Sequence, residues 1–305
     1  MRQHTVIRLA LLAVWPILGL VPGAWPSAAA AASAPPKLEQ APLSEEFVRF
    51  EQRRAAGQLQ LTADDGHHLG YRPEPIDLKA RTDGGAGELV PTALEPVLAP
   101  QVVALPSSFD LRTQGRVPPV KQQGVANTCW ALTSITALES HLLPGEPRDF
   151  SENNLKNTHG FDLLHNWGGN RSMATAYLTR WSGPVDETDD PYSDISGVSP
   201  PGLPVQKRVQ QVWFLPDRSP ASWWSDNAAI KQAVMDHGAV MSVMYYTGAY
   251  FNDVTDAYFY NGTADGNHYV AVIGWDDNYS LNNFTKIAGV APPGEWRVAR
   301  PEHLG

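Results

Sequence analysis

The chain carries a single cysteine, Cys129, and its surroundings favour the thiolate form. Ala131, Leu132, Ile135, Leu138 and Leu142 recur at helical spacing, which predicts a helix over 127–143 capped by Asn127 or Thr128. A sulfur at or just inside that start lies near unpaired backbone N–H groups and the positive end of the helix dipole. Both stabilise the anion. Upstream, Val120-Lys121-Gln122-Gln123-Gly124 reads as a polar turn whose glutamine amide reaches back towards the helix start. An amide donor beside a thiolate is what an oxyanion site needs. The base that completes a nucleophilic pair is His268, which follows Gly266-Asn267 and opens the apolar run Tyr269-Val270-Ala271-Val272-Ile273-Gly274. Each feature alone is weak, since a lone Cys is more often core and a lone His at a strand end more often structural.

The elements that must position this pair fall into two groups. Ser151-Glu152-Asn153-Asn154-Leu155 reads as a helix start, and 169–181 as a helix with Met173, Ala176, Tyr177 and Trp181 on one face, ended by Gly183-Pro184. Residues 226–237 form a further helix, stopped by Gly238. Strand signals come later, over 209–215, 239–246 and 268–275. Helices first and strands afterwards predict an α+β protein with a helical half, a sheet half and a cleft between them.

Composition sets the outer bounds. The 305 residues, 43% of them hydrophobic, suffice for a packed core and suggest two domains at most. A net charge of -9 argues against a nucleic-acid partner. Ten Trp and ten Tyr suit a groove that holds peptides or sugars. One cysteine excludes an intrachain disulfide and a multi-cysteine metal cluster. Arg2, His4 and Arg8 precede a short apolar run over 9–20, and the small residues of 27–32 follow, the pattern of a secretory signal peptide cleaved near Ala30 to Ala32. The expected organisation is a signal peptide over 1–32, an extension or propeptide with linker over 33–101, and a catalytic domain over 102–305. Within the extension, Ser44 caps a short helix, and Gly84-Gly85-Ala86-Gly87 marks linker. The mature protein is expected outside the cytoplasm, secreted, periplasmic or at the cell surface, as a monomer without a membrane span.

Two distant stretches together carry a resemblance. Leu105-Pro106-Ser107-Ser108-Phe109-Asp110-Leu111-Arg112, Val117-Pro118-Pro119-Val120-Lys121-Gln122-Gln123-Gly124 and Cys129-Trp130-Ala131 resemble the mature N-terminus of papain-like cysteine peptidases. Asn267-His268-Tyr269-Val270-Ala271-Val272-Ile273-Gly274-Trp275 resembles that family's histidine strand. The two residues stand 139 apart (268 minus 129), within the roughly 130–150 typical of papain and cathepsins. Asp149-Phe150-Ser151-Glu152-Asn153-Asn154-Leu155 and Trp181-Ser182-Gly183-Pro184-Val185 look like its bacterial branch.

The resemblance implies a two-lobed fold, a helical lobe followed by an antiparallel sheet or barrel, and hydrolysis of peptide or protein substrates without a cofactor or metal. It implies Cys129 as nucleophile, His268 as base and then acid, and Gln123 with the Cys129 N–H as oxyanion donors. Gly168 and Gly169 would let substrate backbone approach, with Trp130 and Asn267 beside them. The pair would rest as thiolate and imidazolium, as in papain, where the cysteine pKa is about 3–4.

The pattern departs from the family in two places. The cysteine that normally makes a disulfide towards the double-glycine loop is Ala126, and Asn166 or Trp167 stands at the partner position. No asparagine follows Asn283, so the Asn-Ser-Trp-Gly motif that orients the histidine has no counterpart. A back-translation of Pro301-Glu302-His303-Leu304-Gly305 reads Arg-Asn-Thr-Trp-Gly when shifted by one base. That suggests a frameshift, the alternative being a natural truncation that leaves a poorly stable chain.

A degenerate relative that binds peptides without cutting them is the runner-up. A metalloenzyme has little support, because His67-His68, His159, His165 and His237 lack ligand spacing and adjacent histidines are usually just solvated. Asp186-Glu187-Thr188-Asp189-Asp190 reads as a solvated acidic loop in preference to a calcium site.

Overall fold

A computed structural model describes residues 42–76, 105–215 and 227–284, all within the compact unit Ala41–Gly305. The stretch read as a signal peptide, the glycine-rich run expected as linker, Trp223-Trp224 and everything after Phe284 lie outside the described residues.

Helix α1, Glu45–Ala55, starts where Ser44 accepts a hydrogen bond from Phe47 N. Helix α2, Cys129–Leu142, has Thr128 at its cap position, but the Thr128 hydroxyl makes no capping bond. Helix α3, Glu152–Thr158, is capped by Ser151, and helix α4, Arg171–Thr179, by Asn170. Helix α5 is Ala228–His237, ended by Gly238 at φ 105°. Buried faces of α2, α3 and α4 meet in one core around Trp130, Ile135, Phe150, Leu155 and Tyr177. Helix α4 stops earlier than its pattern suggests. Trp181 takes a left-handed backbone (φ 62°) and turns half-exposed, its Nε1 donating to Val209 O.

The strands are short and pair two by two. β1 (Ser108–Asp110) pairs with β6 (Gly274–Asp276), β2 (Val240–Met244) with β5 (His268–Val272), and β3 (Phe251–Asn252) with β4 (Ala257–Tyr258), all antiparallel. Helices precede most of the sheet, so the α+β expectation holds, but no closed barrel forms among the described residues. The predicted run 268–275 splits at Ile273, so its halves serve different partners. The predicted strand over 209–215 is absent. Val212 and Phe214 there face outwards, so β-branched and aromatic composition alone did not make a strand.

The extension is folded onto the domain. Arg49 and Arg53 of α1 grip Asp265, 2.8 and 3.3 Å away. A turn held by Ala63 N to His67 O and Leu69 N to Leu61 O puts Leu69 into a core with Tyr246 and Tyr258.

Beneath the loop that carries Gln123 lies a buried ionic cluster. Lys121 Nζ sits 2.8 Å from Glu152, 2.7 Å from Asp149 and 3.4 Å from Glu139, and donates to Phe150 O at 3.0 Å. Burial pushes Glu139 up to about 7 and Glu152 up to about 8. Burial works against the Lys121 charge too, but Glu152 and Glu139 outweigh it and raise its pKa. Replacing Lys121 by Met should therefore cost about 3–5 kcal/mol, because two buried carboxyls lose their counter-ion. A carboxyl with a raised pKa stabilises the fold below its unfolded value and loses that contribution as pH climbs through the folded value. Thermal melts should accordingly show a larger deficit at pH 9 than at pH 5. An equal deficit at both would contradict this account.

Candidate active site

Cys129 opens α2 and His268 opens β5, two elements that pack against each other. Tyr269 N, the residue after the histidine, donates to Cys129 Sγ at 3.4 Å. Strand pairing fixes His268 opposite Met244, and its ring lies 6.0 Å from that of Tyr246. His268 Nδ1 is buried with no hydrogen-bond partner among the described residues.

Both residues are covered, Cys129 3% and His268 4% exposed. Burial pushes the Cys129 thiol up to about 12, against backbone N–H groups of Tyr269, Trp130, Gly70 and Cys129 itself. Burial, then the nearby His67, pushes His268 down to about 4. The resting thiolate–imidazolium pair is therefore not what this form holds. The helix-start amides act as anticipated, but loss of water outweighs them and both groups are neutral.

The cover is the N-terminal extension. A methyl group on Gly70 would come within 2.9 Å of Cys129 Sγ and 2.5 Å of Asn127 O, so the extension passes directly over the sulfur. Gln123 Nε2 donates to the carbonyl of His68. Gly169 N donates to Gly70 O at 2.9 Å, Arg72 N to Gly169 O at 2.9 Å and Tyr71 N to Asn267 O at 3.2 Å. The glycine pair thus receives a peptide backbone. Gly168 (φ 79°) allows that approach, since a methyl there would meet Gly70 O at 2.7 Å. His67 and His68 are accordingly not a solvated pair but part of the segment lying over the site.

Two candidates act differently from expectation. Trp130 is 1% exposed and lies beneath Gly169, whose added methyl would strike its ring at 2.4 Å. It backs the glycine from the core and does not face the cleft. The Asn267 side chain clamps Tyr246, accepting from its N at 2.7 Å and donating to its O at 2.8 Å, so only its backbone carbonyl faces the extension.

Other residues join the site without a sequence signal. Where the family's disulfide is missing, Asn127 Nδ2 donates to Asn166 O at 2.9 Å and ties the same two segments. Tyr192 OH donates to Gln123 O at 2.8 Å and so accepts from Thr128 Oγ1 at 2.6 Å. Asp190, expected in solvent, is 3% exposed and accepts from Asn153 and Asn154. A half-buried Tyr after a proline in an acidic loop has no periodic pattern to announce it. Tyr192→Phe should leave the buried Thr128 hydroxyl unpaired behind the cysteine and Gln123 O with only the 3.4 Å bond from Ala126 N. We expect a stability loss of about 1–2 kcal/mol and a fall in kcat with KM unmoved. Unchanged kcat would show that the hydroxyl only supports the fold.

Among the described residues no His, Cys, Asp or Glu cluster could hold a metal.

A family model for papain family cysteine proteases matches residues 105–286, more than half of the chain. The chain belongs to that family. It is 29% identical over 177 residues to a probable cysteine protease, RDL5, of Arabidopsis thaliana, covering 56% of this chain and 45% of the relative. It is 29% identical over 184 residues to the viral cathepsin of Heliothis zea nuclear polyhedrosis virus, covering 57% and 46%. Among solved structures, the cysteine protease and lectin-like domains of Cwp84, a surface layer associated protein of Clostridium difficile, superpose with a TM-score of 0.61. Their identity is 27%, covering 83% of this chain and 51% of that one. A second Cwp84 structure, of a cysteine-to-alanine form after propeptide cleavage, gives 0.53 at 32% identity, covering 61% and 48%. The chain spans about half the length of the relatives it matches.

Proposed function

We propose that this papain-family protein is a cysteine peptidase made in a covered form, with Cys129 as nucleophile, His268 as base and acid, and Gln123 as oxyanion donor. The observation that carries this reading is the Gln123 amide bonded to a peptide carbonyl, that of His68, beside a sulfur at a helix start. That is how the donor would hold the oxygen of a substrate under attack. Once uncovered, Cys129 Sγ would attack the scissile carbonyl carbon while Gln123 and the Cys129 N–H hold the oxygen. His268 would protonate the leaving amine, and water would then release the acyl group.

The extension is not a good substrate because it lies the wrong way round. The leaving amine must face His268, hence the Tyr246 side, where Asp65 and His67 sit. The acyl half must lie over Gly168 and Gly169, where Tyr71 and Arg72 sit. A substrate runs from acyl half to leaving half, whereas the extension runs from Asp65 to Arg72. We read residues 42–76 as part of a propeptide, in keeping with the propeptide cleavage named for Cwp84. The signal-like start of the chain supports secretion.

The test is labelling by an epoxide-type cysteine-peptidase inhibitor, followed by mass mapping alongside hydrolysis of a fluorogenic peptide. One adduct, on Cys129, together with loss of hydrolysis is expected. Hydrolysis that persists in fully labelled protein would end the reading.

A further inference from the structure

Beyond the glycine pair, the extension leaves a specific imprint on the wall of the domain. Arg171, two residues after Gly169, holds the Glu74 carboxylate with both arms of its guanidinium, Nε 3.0 Å from Oε1 and Nη2 3.2 Å from Oε2. Ser172 Oγ donates to the same Oε1 at 3.4 Å. Paired parallel bonds of this kind read the flat shape of a carboxylate as well as its charge. The Glu74 side chain is 11% exposed and that of Arg171 32%, so the carboxylate is largely withdrawn from water while the guanidinium stays partly open to it. Arg171 is also held in place: its backbone N donates to Tyr269 OH at 3.3 Å, and its guanidinium lies 5.6 Å from the Phe214 ring centre.

The clamp belongs to the domain, whereas its occupant belongs to the extension. Departure of residues 42–76 leaves Arg171 and Ser172 beside the cleft without that carboxylate. Their place along the cleft is fixed by the same reasoning as the chain direction. They lie past Gly168 and Gly169, on the side away from His268 and Tyr246, where the half of a substrate N-terminal to the scissile bond must rest.

We propose that Arg171, with Ser172, forms a specificity subsite that selects peptide substrates carrying Asp or Glu on the N-terminal side of the scissile bond, beyond the residue seated on Gly169. This rests on the peptidase reading above. Glu74 occupies the subsite in the covered form, so one carboxylate-binding clamp serves first to hold the extension and then to choose substrate.

The test uses the full chain, nicked between Ile76 and Leu105 and held at pH 5 until the extension has left the cleft, with active sites counted by the epoxide label. Fluorogenic peptides carry Glu or Gln at each of four successive positions N-terminal to the scissile bond. At one position beyond the second, Glu should be preferred over Gln by roughly tenfold in kcat/KM. Arg171→Met should bring that ratio to about one, and Arg171→Lys should retain part of it. The ratio is internal to each protein, so partial unfolding of a variant does not distort it. Equal cleavage of Glu and Gln peptides by the unsubstituted chain, or a preference that survives Arg171→Met, overturns the subsite alone. No cleavage of any peptide and no adduct on Cys129 removes the peptidase reading and the subsite with it.

Discussion

Release of the extension should raise the rate of Cys129 alkylation at pH 7 by at least about a thousandfold. With the thiol pushed up to about 12, only about one molecule in 10⁵ carries thiolate at pH 7. Water reaching the sulfur returns its pKa to about 8.5 or below, a thiolate share of about 3% before any help from the histidine. Access to the reagent adds to this, because Gly70 no longer lies over the sulfur. Iodoacetamide kinetics on intact and nicked chain, with the pieces separated, measure the ratio. Equal rates would show that the extension is not the cover.

Acid should promote the release. His268, near 6.5 in water, is pushed down to about 4 under the extension. A depressed histidine favours the covered form fully above about 6.5 and loses that contribution as pH falls towards 4, about 3 kcal/mol at the limit. Asp64 acts in the same direction, but only below its ordinary range. Bonds from Thr247 Oγ1 and Gly248 N hold it low. Glu46 acts oppositely, since burial raises it in the covered form and protonation there favours covering. The histidine shift is the larger, so it decides the sign. Nicked chain held at pH 5 and then assayed at a common pH should gain activity faster than chain held at pH 7.5.

What could be read from the sequence follows from which contacts are local. The helix at Cys129 shows because Ala131, Ile135, Leu138 and Leu142 face one core, and β5 shows because β-branched and aromatic residues crowd 268–272. Ser44, Ser151 and Asn170 cap as their side chains suggest, since a cap bond spans only three residues. The cover was invisible for the opposite reason. His68 to Gln123 spans 55 residues, Tyr71 to Asn267 nearly 200, and the backbone atoms that make these contacts have no residue signature. The charge states of the covered form depart from the helix-start reading for the same reason. A helix start predicts a low cysteine pKa only if water reaches the site, and pattern alone cannot show what lies overhead. Residues 209–215 failed differently: β-branched and aromatic residues were present, but no described strand pairs with them.

Cys129→Ala in the nicked chain should lower kcat/KM on a fluorogenic peptide by at least about 10⁴-fold. Gln123 and the backbone amides would remain, so the residue left should exceed hydrolysis in water. Cys129→Ser separates chemistry from packing. The hydroxyl fills nearly the space of the thiol, so the fold is kept. Its oxygen, however, has no thiolate-like form at neutral pH for the helix start to stabilise. If sulfur acts as nucleophile, both variants lose turnover alike while their melting curves stay close to that of the unsubstituted chain. A relative that only binds peptides would behave otherwise: its affinity for a cleft peptide would survive both changes, and there would be no turnover to lose. The alanine variant carries one further signature. Without a sulfur there is no thiolate for covering to suppress, so above about pH 8.5 its extension should stay bound where that of the unsubstituted chain loosens. Dissociation of the nicked extension at pH 9.5 measures the difference, and equal release from the two chains would mean that the sulfur does not feel the cover.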